Sequence, residues 1–548
     1  MLSPAETYKD LQAQFRWEIP EFYNIGVDVC DKWAATDPDR SAIITANMDG
    51  SADIITFSLL KSGSDKIANM LVSLGARRGD RVGIMLPQSY EVAAAHVATY
   101  KMGAIAVPLF ILFGPGALEH RIVDAGISVI ITNRQGAEKL REMDRSAQEN
   151  LTVLSVDGSD EDLGTLDLHA LMEQQSDHFA PVKTRAEDPA LIIYTSGTTG
   201  APKGALHAHR VLLGHLPGME MSHDFFPQPG DLIWTPADWA WIGGLLDVLL
   251  PALHHGVPVV AGRFDKFSGE AAFALMSRYG VANAFIPATA LKMMRATAYD
   301  ATKYPLKLRS VGSGGETLGA ALLDWALTDL GVTINEFYGQ TECNLIVSSC
   351  GAIMAPRPGI MGLTVPGHDV RVLKGDGTEC AIGEHGAIAV KKGDPVMFLR
   401  YWNNPGATAA KFQGDWLLTG DIGVHEGGGW IRFIGRDDDV ITSSGYRIGP
   451  GEIEDCLLQH PVVRLAAVVG KPDAQRTQIV KAYIVLRAGV APGDALKEEI
   501  QAHVKTRLAA HEYPREIAFV DDLPLTNTGK IIRRVLRDLA QSEATDAQ

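Results

Sequence analysis

Short apolar runs alternate with amphipathic stretches over the first four hundred residues. RVGIMLP (81–87) precedes EVAAAHVATYKMG (91–103), and SVIIT, LIIYTS, VPVVAG and ANAFIPA follow with helix-like segments between them. That rhythm predicts βαβ units and largely parallel sheets. Val82 to Leu86 is bounded by Gly79-Asp80 and by Pro87, which predicts a strand running into a loop. No fixed short period recurs, which argues against solenoids and propellers.

From Gly435 the pattern changes. GRDDDVITSSGYRIGPGEIEDCLLQHP places a charged turn and a Gly-rich loop before a helix with Ile453, Cys456 and Leu457 on one face. A domain junction is predicted there: residues 1–437 form a large α/β domain of mixed sheets flanked by helices, and 438–548 a small α+β domain. In the small domain AAVVG and KAYIVL read as strands and Ala495 to Leu508 as a helix, while the polar SEATDAQ (542–548) is expected to fray.

Composition narrows the function classes. A chain of 548 residues implies two to four folding units, and 46% hydrophobic with 21% charged residues fits a soluble globular protein. The net charge of -16 opposes phosphate-backbone binding, so nucleic acid is excluded as a general partner. The start, MLSPAETYKDLQAQFRWEIPEF, lacks a basic cap and apolar run, so the cytoplasm is the expected location. The most apolar stretch, Gly103 to Gly116, is broken by Pro and Gly and falls short of the roughly 20 residues that span a bilayer; a buried strand and loop are expected. Cys30, Cys343, Cys350, Cys380 and Cys456 show no paired metal-ligand spacing and read as reduced, buried thiols.

Hydroxyls, glycines and a lysine concentrate in Tyr194-Thr195-Ser196-Gly197-Thr198-Thr199-Gly200-Ala201-Pro202-Lys203-Gly204, directly after a strand-like run. Glycines let the backbone approach an anion, amides and hydroxyls donate to phosphate oxygens, and Lys203 adds positive charge. The chemistry is that of a polyphosphate site, yet the GxxxxGK[ST] register of a P-loop is absent.

YTSGTTGAPKG resembles the phosphate-binding signature of the acyl-adenylate-forming superfamily, and further stretches match in order. SGGET (313–317) and NEFYGQTE (335–342) look like its adenine and acyl-site motifs. The resemblance implies that Tyr338 stacks on adenine with Gly315, Glu316, Phe337 and Gly339 beside it, that Glu336 lies near the amino group, and that Glu342, with Thr341, helps to bind Mg²⁺. Thr419-Gly420-Asp421 resembles the motif whose aspartate holds the ribose hydroxyls; Arg436 and Arg447 join the nucleotide set. PLTNTGK (524–530) matches the terminal motif whose lysine, Lys530, reaches the reacting carboxylate and the α-phosphate. Asp438 falls at the hinge about which a small mobile C-terminal domain swings between half-reactions, and Gly445 on the loop lining the pantetheine passage. PEFYNIGVDVCDKWA and ADWAWIGG look similar to medium-chain and acetyl-type acyl-CoA synthetases.

The implied reaction joins a carboxylic acid, ATP with Mg²⁺, and coenzyme A through an acyl-AMP; no protein nucleophile is needed, and Cys343 reads as a small buried hydrophobe. Acetate-specific relatives place a tryptophan after the adenine-stacking aromatic, where this chain has Gly339, and larger side chains at Gly314 and Gly243. Three missing side chains are expected to deepen an acyl cavity floored by Trp241 and Ile242, admitting medium-chain, branched or aryl acids. Alternative readings are transfer to a carrier protein and a catalytically silent nucleotide-binding protein; Lys530, Glu342 and Asp421 argue against the latter. The resemblance also admits a homodimer and a lysine acyltransferase acting on Lys530.

Overall fold

The computed structural model describes residues 2–47, 51–195, 201–262, 264, 266–316, 318–443, 446–473, 476–508, 512–525 and 530–546. They fall into two compact units. One comprises Met1–Pro356, Gly362–Asp369 and Lys391–Asp415, the other Arg357–Met361, Val370–Val390 and Trp416–Gln548.

Two mainly parallel sheets build the first unit. Among the described residues, one sheet runs Leu363–Thr364, Cys343–Ser348, Ile334–Gln340, Ser310–Gly314, Asn283–Phe285, Ile233–Trp234, Val259–Gly262, Ser41–Ala46, Ala52–Thr56. The other runs Arg400–Tyr401, Lys203–Ala208, Pro189–Thr195, Ile105–Pro108, Arg81–Met85, Ile127–Thr132, Thr152–Ser155, Thr165–Asp167. Each apolar run singled out above becomes one of these strands. The helix Tyr90–Lys101 follows the strand Arg81–Met85 as expected: Ser89 caps it by accepting from the Val92 N–H, and it is buried from Val92 to Lys101. Lys101 is tolerated inside because its ammonium meets Asp65 at 2.7 Å and Asp31 at 2.5 Å. The stretch 103–116 is a buried strand, Ile105–Pro108, followed by loop, as expected. All five cysteines are buried and free.

In the second unit Val370–Leu373, His385–Lys391, Trp416–His425 and Ile431–Arg436 form one sheet. A second sheet pairs Thr477–Leu486 with Val463–Asp473, Ile441–Ser443 and, in parallel, Glu516–Phe519. The helix Pro450–Leu458 buries Ile453, Cys456 and Leu457, and Asp494–Arg507 buries Ile500 and Val504. The expected division at 437/438 falls inside this unit, because Ile422, Val424, Ile434 and Val440 share one apolar cluster across it. Nor do residues 542–546 fray as their polarity suggested, while 547 and 548 lie outside the described residues. The last helix runs Arg533–Asp546, since Lys481, 2% exposed, is ion-paired to Glu543 and lies 2.6 Å from Glu516.

Candidate active site

In the first unit the strand Pro189–Thr195 pairs antiparallel with Lys203–Ala208, and Thr195 sits opposite Lys203. The two ends of the polyphosphate motif are thus brought side by side; Ser196, Gly197, Thr198, Thr199 and Gly200 lie outside the described residues. Tyr194 donates to Asp124 at 2.6 Å, and burial pushes its phenol well up, so it is a neutral anchor. The ammonium of Lys203 lies 5.3 Å from the ring centroid of Tyr401. Gly204 is closely packed: a Cβ there would lie 2.8 Å from Ile192 and 3.2 Å from Tyr194.

The adenine motif forms an antiparallel hairpin, Ile334–Gln340 returning as Cys343–Ser348, with its register broken between Tyr338 and Gln340. Glu336, Phe337 and Tyr338 are buried on it, Thr341 is partly exposed at the tip, and Glu342 is 6% exposed. Tyr401 donates its hydroxyl to Glu342, and Lys411 donates to Gln340 at 3.0 Å. Gly315 has φ +89°, open to glycine, and Glu316 accepts from Thr289 at 3.1 Å. A carboxylate and a hydroxyl side by side at positions 342 and 341 suit a hard cation that takes its remaining ligands from phosphate oxygens and water.

The acyl-side glycines are closely surrounded. A Cβ on Gly339 would lie 2.2 Å from the Leu345 amide nitrogen, one on Gly314 2.6 Å from the Phe337 ring, and one on Gly243 2.8 Å from Phe285. At these three positions the absent side chains leave room that neighbouring atoms already occupy. They allow the hairpin backbone and two aromatic rings to close in, with Phe285 and Phe337 at a centroid separation of 5.3 Å. Trp241 packs at 5.5 Å from Phe110 and 5.7 Å from Phe113, and Ile242 is partly buried against the main core.

Behind Gly243 lies a group that motif reading missed. Asp247 is 3% exposed, accepts from Asn344 Nδ2 at 2.7 Å, and sits in a π-helical turn, Leu245–Leu249. Burial pushes its carboxyl well above the usual range despite that hydrogen bond. His215 approaches it at 4.0 Å but is itself pushed down to about 4 by burial, so no imidazolium offsets the desolvation of the carboxyl at neutral pH. Asn344 in turn packs on Gly339, and the next residue, Leu345, takes φ +56°. An aspartate inside an apolar run, LLDVLL, was the available sequence signal. Cys343 is wholly buried and its thiol is pushed far up, as its reading as a small hydrophobe requires.

In the second unit Asp421 and Arg436 are direct partners in the ladder between Trp416–His425 and Ile431–Arg436. Their side chains meet at 3.2 Å. Thr419 is fully buried and donates to the Ile388 carbonyl at 2.8 Å, and its hydroxyl accepts from the Asp421 N–H at 3.1 Å. Gly420 between them has φ +79°, which explains the glycine. Asp438 occupies the turn that follows. Arg447 lies on the strand Tyr446–Ile448 with its side chain outside the described atoms, Gly445 is outside the described residues, and Lys530 is exposed three residues before the last helix. The residues 526–529 of its motif are likewise outside the described residues.

Comparison with known proteins gives this constellation its family. The model of the AMP-binding enzyme family matches residues 30–402 and that of the AMP-binding enzyme C-terminal domain residues 452–530. The chain is 35% identical over 489 residues to the acetyl-coenzyme A synthetase of Bacillus subtilis (strain 168), covering 88% of this chain and 84% of that one. It is 33% identical over 537 residues to the mitochondrial acyl-coenzyme A synthetase ACSM2B of Homo sapiens, covering 95% and 91%. The crystal structure of the anthranilate CoA ligase AuaEII in complex with anthranoyl-AMP superposes with a TM-score of 0.87 at 28% identity, covering 96% and 99%. With the ordered motifs standing on these two units, the chain belongs to the AMP-binding enzyme family, as an AMP-forming acid-thiol ligase of the acyl-CoA synthetase kind that uses ATP, Mg²⁺ and coenzyme A.

Proposed function

We propose that the acid activated is apolar and larger than acetate: a medium-chain, branched or aryl carboxylate. The observation that supports this reading is the apolar aromatic cluster of Trp241 with Phe110 and Phe113, at centroid separations of 5.5 and 5.7 Å. Flat apolar faces reward a hydrocarbon or ring, and each methylene accommodated is worth about 1 to 3 kcal/mol of discrimination. Likeness to an anthranilate ligase and to an ACSM-type synthetase supports the same side; likeness to an acetyl-coenzyme A synthetase supports the other. Pyrophosphate release measured across straight-chain, branched and aryl acids tests it. A kcat/KM profile peaking at acetate overturns it.

In the first half-reaction a carboxylate oxygen attacks the α-phosphorus and the bond to pyrophosphate breaks. Both reactants are anionic, so Lys203, the loop from Thr195 to Gly204 and Lys530 serve to hold and screen them. Mg²⁺, when bound through Glu342 with Thr341, supplies neutralisation of the phosphate oxygens. Tyr338, Glu336, Phe337, Gly315 and Glu316 serve the adenine, and Asp421, Arg436 and Arg447 the ribose and phosphate side. In the second half-reaction the coenzyme A sulfur attacks the acyl carbon and AMP departs, with Asp438 as hinge and Gly445 beside the pantetheine. Free coenzyme A, not a carrier protein, is the proposed acceptor, and offering both thiols to purified enzyme separates them. A cytoplasmic setting and a homodimer belong to the same proposal and are checked by fractionation and by light scattering. The exposure of Lys530 supports its modification by a lysine acyltransferase, which would remove the charge and switch adenylation off.

A further inference from the structure

In sequence the three aspartates 437–439 read as a solvated charged turn. In the structure the Asp439 side chain is only 11% exposed and Asp438 34%. Arg537 forks onto both, donating to Asp439 and lying 3.3 Å from Asp438 Oδ2. Arg533, one turn earlier on the same helix, lies 3.9 Å from Asp439 and grips Glu454 through two nitrogens. Glu454 also accepts the Val468 N–H at 2.8 Å, which roots it in the sheet. From the other side Arg436 reaches Asp438 at 3.9 Å and Asp421 at 3.2 Å. Four carboxylates and three guanidiniums thus alternate from the ribose-side pair to the helix that begins three residues after Lys530.

Partly buried ion pairs of this kind add little net stability, because desolvation offsets their attraction; what they can supply is a fixed arrangement. The body of the last helix is held independently, by Leu536 and Ala540 in an apolar cluster with Tyr483 and by Glu543 on Lys481. The arginines therefore act on the start of the helix. We propose that Arg533 and Arg537 are positioning residues for acyl-AMP formation, tying the Lys530 segment to the Asp438–Asp439 turn, Glu454 and the Asp421–Arg436 pair. The proposal rests on Lys530 serving that half-reaction.

The test follows single-turnover pyrophosphate release and, separately, thioester formation from preformed acyl-AMP. Arg537→Glu should slow pyrophosphate release by roughly tenfold to a hundredfold, the loss expected from an ångström of misplacement. Thioester formation should change little. Arg537→Lys, which keeps the charge but not the fork, should fall between. The double variant Arg537→Glu with Asp439→Arg should recover about tenfold over the single one, and Arg533→Lys should reproduce a milder form of the defect. Unchanged pyrophosphate release in Arg537→Glu, an equal loss in both half-reactions, or no recovery in the swap would each overturn the positioning role. Lys530→Ala is run beside them. If it keeps full pyrophosphate release, the lysine assignment itself is wrong, and that outcome is distinguishable because Arg537→Glu then has nothing to mimic.

Discussion

The hairpin carrying Tyr338, Thr341 and Glu342 is held by packing, and the turn carrying Asp438 is held by charge. In the first, Gly339 admits the backbone of Asn344 and Leu345, Gly314 admits Phe337, and burial pushes the nearby Asp247 carboxyl well above the usual range. In the second, Asp421, Asp438, Asp439 and Glu454 are matched by Arg436, Arg533 and Arg537. A close-packed apolar surround has one arrangement and tolerates no added volume. An ion-pair chain with partly exposed members can be broken and remade at modest cost. On the roles proposed above, a nucleotide platform would need the former, and a segment serving two half-reactions would be better served by the latter.

The comparison breaks most sharply at Lys530. Lys530→Ala should lower single-turnover pyrophosphate release by about 10²- to 10³-fold, the usual cost of losing one electrostatic donor in a reacting site. Thioester formation from supplied acyl-AMP should survive. A variant that loses both equally would mean that the charged side is needed throughout, and the contrast between the two regions would collapse.

Gly339→Trp or the milder Gly339→Ala tests the packed side. If the residue merely bordered an acyl cavity, the chain-length preference would move toward acetate. The contact of 2.2 Å with the Leu345 nitrogen predicts something else: pyrophosphate release falls for every acid alike, and stability drops by about 1 to 3 kcal/mol even for alanine. Thermal unfolding together with kcat/KM over an acid series decides. A shifted acid profile at unchanged stability would restore the cavity reading.

Strands such as Arg81–Met85 and Val259–Gly262 were legible because their apolar period writes them directly, and the family was legible through the ordered motifs that resemble it. The closeness of Gly243, Gly314 and Gly339 to rings and backbone was not. A missing side chain looks the same in sequence whether it leaves space or lets a neighbour in, and only the paths of Phe285, Phe337 and Asn344 distinguish the two. Tyr401 on Glu342 and Arg537 on Asp439 were hidden for another reason: the partners are 59 and 98 positions apart, beyond any local pattern. The helical tail was misjudged because Glu543 finds its lysine on a distant strand.

Asp247 sharpens the contrast with the smallest expected change in activity. Its carboxyl accepts from Asn344 and burial favours its neutral form, so Asp247→Asn keeps an acceptor of the same shape and should leave pyrophosphate release within about twofold, whereas Asp247→Ala strands the Asn344 amide and should cost about 1 to 3 kcal/mol of stability. The pH dependence is the more telling readout. An unfolded aspartate titrates near its ordinary value of 3.8, and burial raises the folded one well above that. Between the two values the folded chain keeps a proton that the unfolded chain has released, so parent stability declines as pH rises and levels off above the folded value, by up to about 1.4 kcal/mol per pH unit inside the window. Asparagine does not titrate, so Asp247→Asn should gain on the parent steadily from about pH 4 upward until that plateau. Chemical unfolding of both proteins across this range measures the gap. Parallel curves would mean that Asp247 is charged in the folded chain, and the hairpin would then be held by charge after all, like the turn beside Arg436.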